Sequence, residues 1–86
     1  MKLTLKYFAA FILVLSLAAP VVAGPWEDAN AAYGRGDYAT ALRLWRPLAN
    51  QGNASARVEL GHMYSQGQGV PQSFVEAVKW YRLAAD

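Results

Sequence analysis

The sequence predicts an all-α fold: a solenoid of about two antiparallel helix pairs, preceded by a signal peptide. Three observations carry this expectation. Apolar residues recur at helical spacing in four stretches. Short turns rich in glycine, each followed by Asp, Asn or Ser, separate those stretches. Sliding the chain by 36 residues superposes the second stretch on the fourth, and periods of this length in helix pairs mark stacked repeats.

The N-terminus sets what belongs to the domain. Lys2 and Lys6 precede an apolar run from Tyr7 to Ala19, and Pro20-Val21-Val22-Ala23 closes it with small residues. A charged start, a short apolar segment and a small-residue exit form a secretory signal peptide. Val21 and Ala23 suit the positions a signal peptidase inspects, which places the cut after Ala23. The alternative is a retained anchor, although the run is short for a span of about 20 residues. Cleavage would make the protein periplasmic or secreted, touching the membrane only through this segment during export.

Cleavage also removes two of the eight basic residues and none of the six acidic ones. A balance of six against six argues against nucleic acid, which requires a clustered basic face. The chain has no cysteine, so an exported domain of about 60 residues, a marginal size, must hold together by packing alone.

Gly24-Pro25-Trp26-Glu27-Asp28 opens the first helix. Proline fits the first helical position, where its missing N–H would have had no partner. The two acids face the positive end of the helix dipole. Trp26, Ala29, Ala32 and Tyr33 give this helix one apolar face, and it is expected to end near Tyr33. Gly34-Arg35-Gly36-Asp37 then breaks it, with Asp37 placed to cap the next helix.

Tyr38 to about Asn50 forms the second helix, with Tyr38, Ala41, Leu42, Trp45, Leu48 and Ala49 on one stripe. Pro47 removes a hydrogen bond and crowds the preceding turn, which predicts a bend or loosening between Arg43 and Pro47. Gly52 ends this helix and Asn53 caps a third, Ala54 to about Gln66, whose stripe is Ala56, Leu60, Met63 and Tyr64. Gly61 inside it costs about 1 kcal/mol relative to alanine, which suggests that another helix passes close by. A longer loop from Gly67 to Gln72 leads to Ser73-Phe74-Val75-Glu76, a capping box in which Ser73 and Glu76 satisfy each other's free donors. The fourth helix starts at Phe74 and carries Phe74, Ala77, Val78, Tyr81, Ala84 and Ala85 on its stripe.

In the 36-residue superposition Tyr38 meets Phe74, Ala41 meets Ala77 and Leu42 meets Val78; Arg43 meets Lys79, Trp45 meets Tyr81, Arg46 meets Arg82 and Ala49 meets Ala85. The first and third helices align on a smaller shift that sets Tyr33 on Tyr64, because the second unit has the longer loop.

Leu60-Gly61-x-x-Tyr64, then Gly67-x-Gly69-Val70, then Ala77-x-x-Trp80-Tyr81-x-x-Ala84-Ala85 resembles the Sel-1-like repeat, a relative of the tetratricopeptide repeat with a longer inter-helix loop. The resemblance is specific over 54–86. Over 24–53 the shorter Gly36-Asp37-Tyr38 turn, with Ala41 after it, is closer to an ordinary, degenerate tetratricopeptide unit. The resemblance implies a right-handed stack of antiparallel helix pairs, an adaptor role in protein complexes, and an exported bacterial type of protein. Where the family pattern continues with a glycine and another helix pair, this sequence has Ala84-Ala85-Asp86. Val75, Trp80 and Leu83 are therefore expected at an open C-terminal face, a candidate for self-association or partner docking.

Such solenoids bind along the concave face lined by the first helix of each pair. The partner-binding candidates are Asn30 and Tyr33 on the first helix and Val58, His62, Ser65 and Gln66 on the third. Trp80 joins them as the aromatic that falls between the core and solvent faces. The expected partner is a protein or peptide. A second reading is a structural or truncated module that works only after self-association or docking to further repeats.

Other chemistry finds little support. Glu59 and His62 have the spacing of a metal half-site, but the further ligands are missing. Ser55, Ser65 and Ser73 lack the base and orienting group that nucleophilic catalysis needs. No catalytic, cofactor or metal residue is assigned, and the protein is expected not to be an enzyme. Arg35-Gly36-Asp37 spells an adhesion tripeptide, yet a helix-ending glycine and a capping aspartate explain it. The aromatic residues fall mostly on helical stripes and read as core.

Overall fold

The computed structural model describes residues 24–86, so the signal peptide expected over 1–23 lies outside the described residues. Four helices follow in order: α1 Pro25–Gly34, α2 Tyr38–Asn50, α3 Ala54–Gln66 and α4 Phe74–Ala85. Helix α2 packs on both α1 and α3, and α4 packs on α3. The chain is thus two helix pairs stacked through α2 and α3, the solenoid that the repeat implied.

The first two turns are built alike. Gly36 has φ +79° and Gly52 φ +99°. Such angles are open to glycine at little cost. After α1, Gly36 N–H donates to the Tyr33 carbonyl at 2.9 Å and Asp37 N–H to that of Ala32 at 2.9 Å. After α2, Gly52 N–H reaches Ala49 at 3.1 Å and Asn53 N–H reaches Leu48 at 3.0 Å. Both are Schellman endings, which satisfy carbonyls left over at a helix C-terminus. The residue that completes each ending also starts the next helix. Asp37 accepts from Thr40 N–H at 3.3 Å, and Asn53 from Ala56 N–H at 2.9 Å.

The capping box at α4 forms only by half. Ser73 Oγ accepts from Glu76 N–H at 3.2 Å. The Ser73 N–H, which the Glu76 carboxylate was to receive, instead donates to the Tyr64 carbonyl at 2.9 Å. The missing half has its counterpart at α1, where Glu27 Oε2 accepts from Gly24 N–H at 3.0 Å. Helix α1 runs one residue beyond the expected end, through Gly34. Helix α2 continues without a break across Pro47. Arg43 and Pro47 are both exposed, so the carbonyl that proline leaves without a donor lies on the solvent side of the helix.

The core is made mostly of small side chains. Ala29, Ala32, Ala41, Ala49, Ala56 and Ala77 are buried with Trp45, Leu60 and Met63. Alanine at these contacts lets the helix axes approach closely, and Trp45 fills the space between α1 and α2. Its ring centroid lies 5.7 Å from that of Trp26 and 5.6 Å from that of Tyr33. The core reading of Trp45 therefore holds.

Helix α4 departs from the expected stripe. Phe74, Val78 and Tyr81 were assigned to the buried face, yet all three are exposed, Phe74 at 66%. Their repeat counterparts Tyr38, Leu42 and Trp45 are covered. Helix α2 is sandwiched between α1 and α3, whereas α4 packs mainly on α3. Identical spacing thus gives a buried stripe in one helix and an exposed one in the other. Of the three residues expected at the open face, Val75 is 81% exposed and Leu83 half-buried. Trp80 instead packs against the core, with its indole Nε1 buried and unpartnered. Leu44, its counterpart in α2, packs against the core in the same way.

Candidate protein-binding surface

Helices α1 and α3 meet at Tyr33 and His62, whose ring centroids are 6.5 Å apart. Tyr33 also packs against Tyr38 of α2, the ring centroids 5.2 Å apart and the planes tilted by 55°. Its hydroxyl donates to Gln68 Oε1 at 3.0 Å. Gln68 belongs to the long loop after α3. That loop starts at Gly67, φ +69°, with Gln68 N–H bonded to the Met63 carbonyl at 2.9 Å. It is pinned at its far end by Gln72 Nε2, which donates to the Ser65 carbonyl at 3.0 Å. In the middle, Gly69 lies so near the start of α2 that a β-carbon there would sit 3.1 Å from Tyr38. The loop extension that distinguishes the second unit therefore closes one end of the surface between α1 and α3.

The remaining candidates follow from helical spacing. Asn30 is exposed one turn before Tyr33 on α1. Val58, His62 and Gln66 succeed each other at four-residue steps on α3, the arrangement that lines one face; Val58 and Gln66 are exposed and His62 half-buried. Ser65 Oγ donates to the His62 carbonyl at 2.8 Å, so its proton is committed within its own helix. Trp80 takes part in none of these contacts.

The resulting surface has amide, imidazole and hydroxyl groups beside one valine, and these can exchange hydrogen bonds with a polypeptide backbone. Among the described residues no group of three or more His, Cys, Asp and Glu is placed to hold a metal. No described helix is long and apolar enough to cross a membrane.

Two features of this architecture were not read from the sequence. Gln68 gave no signal beyond its place in the loop. Arg57 lies off the apolar stripe of α3, and its position in the sequence marks no role. Its Nε donates to the Ala49 carbonyl at 3.0 Å and its Nη1 to the Leu83 carbonyl at 2.9 Å. One guanidinium thus joins the C-terminal ends of α2 and α4, where the helix dipole favours a cation. The sequence signal for it would have been a basic residue one turn after a helix start in a repeat whose helices alternate in direction.

A family model described as Sel1 repeat matches residues 29–53 and 54–86. Over 49 residues the chain is 43% identical to Protein sel-1 homolog 2 of Mus musculus and of Rattus norvegicus, and 41% identical to that of Homo sapiens. Each alignment takes in 57% of this chain and 7% of the relative. No solved structure matches the chain.

Proposed function

The chain belongs to the Sel1 repeat family, and from that premise we propose that it is an exported adaptor that binds a protein or peptide along the surface between α1 and α3. The family's repeats serve in protein–protein interaction rather than catalysis. The observation that carries the choice of surface is the Tyr33–His62 contact, which sets the exposed polar residues of the two helices side by side. Asn30, His62 and Gln66 supply donors and acceptors to a peptide backbone, Tyr33 and Val58 supply apolar contact, and the 67–72 loop limits one end. Trp80 lies outside this group and contributes by holding α4 against the core.

Export rests on the sequence of residues 1–23, with cleavage after Ala23. Intact mass of the protein recovered from an exporting bacterial host tests it: a chain starting at Gly24 supports cleavage, and a membrane-bound chain starting at Met1 supports the anchor.

The surface is tested with a peptide selected from a random displayed library on the protein. The double variant Asn30→Ala, His62→Ala is expected to bind that peptide at least about tenfold more weakly, a loss of about 1.4 kcal/mol, with an unchanged thermal melt. Unchanged affinity would remove this surface from consideration.

A further inference from the structure

We infer that copies of this chain associate head to tail, with the exposed face of α4 of one copy taking α1 of the next. The inference shares Tyr33 with the proposed peptide-binding surface but does not depend on that reading, and its test, which alters no residue of that surface, can fail separately.

The outer face of α4 carries contiguous apolar residues with two bases among them. Phe74, Val75 and Val78 are exposed and Leu83 half-exposed, with Lys79 and Arg82 exposed among them. Contiguous exposed apolar residues of this kind are candidates for an interaction site. The internal repeat shows what kind of element fits. In the 36-residue superposition Lys79 and Arg82 fall on Arg43 and Arg46 of α2, and Val78 falls on Leu42. In α2 Leu42 packs against the core while Arg43 and Arg46 stay exposed, Arg46 reaching the α3 residue Tyr64 from the rim. The first-helix element that stands to α3 as α4 stands to α2 is α1, with Tyr33 on Tyr64.

Charge selects the second copy as the occupant. The exposed acids of α1 are Glu27 and Asp28, and the exposed bases of α4 are Lys79 and Arg82. Head-to-tail contact joins opposite charges. A two-fold contact of α4 on α4 would set four bases of like charge against one another, which is unfavourable. The internal contact also supplies a specific bond. Arg46 Nη2 donates to the Tyr64 hydroxyl at 3.3 Å, and its counterpart between copies is Arg82 donating to Tyr33. The Tyr33 hydroxyl spends its proton on Gln68, so its oxygen is free to accept. One part of the match is absent: the turn after α1 has no equivalent of Gly69, which covers Tyr38, so Phe74 stays partly exposed between copies.

A heterologous contact of this type does not close on itself. The weight-average mass of the protein, measured by sedimentation equilibrium, is expected to rise continuously with concentration. The variant Lys79→Glu, Arg82→Glu and the variant Glu27→Lys, Asp28→Lys are each expected to weaken association at least about tenfold, while their equimolar mixture associates again. Val75→Asp, at an exposed position, weakens it independently of charge, and Val78→Ala has a larger effect than Phe74→Ala. Circular dichroism confirms that each variant keeps its helices. A protein that stays monomeric, or that stops at a dimer, would overturn the proposal. So would association that ignores both charge reversals, as contact through the apolar residues 7–19 would.

Discussion

A β-carbon added at Gly61 would stand 2.8 Å from the ring of Tyr81. This close approach of α3 and α4 accounts for a glycine that α3 would otherwise not tolerate, since it costs about 1 kcal/mol of helix propensity. Gly61→Ala recovers that propensity, and the half-exposed Tyr81 ring can yield by swinging outward, so its net effect is expected to be small. Gly61→Leu has no such escape and is expected to destabilise the fold by about 2 kcal/mol through overpacking. Adding Tyr81→Ala to Gly61→Leu should restore part of the loss. Urea denaturation of the four chains in a double-mutant cycle measures the coupling. Additive losses would show that the ring is not what excludes a side chain at position 61.

The Arg57 guanidinium binds two carbonyls on two different helices. Hydrogen bonds involving a charged group contribute about 1.5–3 kcal/mol each, and half-burial of this side chain keeps the total toward the lower end. Arg57→Ala is expected to cost about 2 kcal/mol. Arg57→Lys keeps the charge at the helix ends but lacks the planar fork that reaches both carbonyls, so it should recover less than half. Chemical denaturation decides it, and full rescue by lysine would assign the effect to charge alone.

The elements were legible because their signals are local. Gly36-Asp37 and Gly52-Asn53 mark a helix end and the next helix start in two consecutive residues, and each makes the predicted bonds. The 36-residue repeat likewise gave the pairing of helices. The exposed faces were not legible in the same way. Phe74, Val78 and Tyr81 share the spacing of Tyr38, Leu42 and Trp45, and periodicity states which residues share a side of a helix without stating whether that side is covered. The Ser73 box failed for a similar reason: a distant carbonyl, that of Tyr64, took the donor that a local motif had reserved. Of the candidate surface, Tyr33 and His62 lie 6.5 Å apart on two helices that the repeat places in equivalent positions, while Gln68 and Arg57 act through long-range contacts that no spacing encodes.

The caps separate a charged device from a neutral one. Hydrogen bonds from Thr40 and then the nearby Arg35 and Arg43 hold the Asp37 carboxyl below its ordinary pKa. A lowered folded-state value means stabilisation that is complete above the unfolded carboxylate range and disappears as pH falls through the folded value. Stability contributed by Asp37 is therefore present at neutral pH and lost under acid conditions, and Asp37→Asn should flatten that part of the profile. Asn53 has no titrating group, so Asn53→Ala should cost about 1 kcal/mol at every pH. Thermal melts from neutral to acid pH test both, and a pH-independent difference between wild type and Asp37→Asn would refute the assignment.

Trp45 is the largest fully buried side chain, 1% exposed, in a core otherwise made mostly of alanine. The alanines around it have no side chain long enough to reach into the void that its removal would leave. Trp45→Ala is expected to cost about 3–5 kcal/mol, comparable with the whole stability of a domain this small, and to abolish a cooperative melt. The indole Nε1 is buried without a partner, which makes phenylalanine informative. Trp45→Phe loses volume but also removes an N–H whose desolvation costs about 1–3 kcal/mol. It is expected to fold cooperatively with a loss of no more than about 1.5 kcal/mol. A loss as large as that of alanine would mean that the indole N–H is satisfied in solution, by a water molecule reaching it between α1 and α2. The small core would then be less tightly closed than its alanine contacts imply.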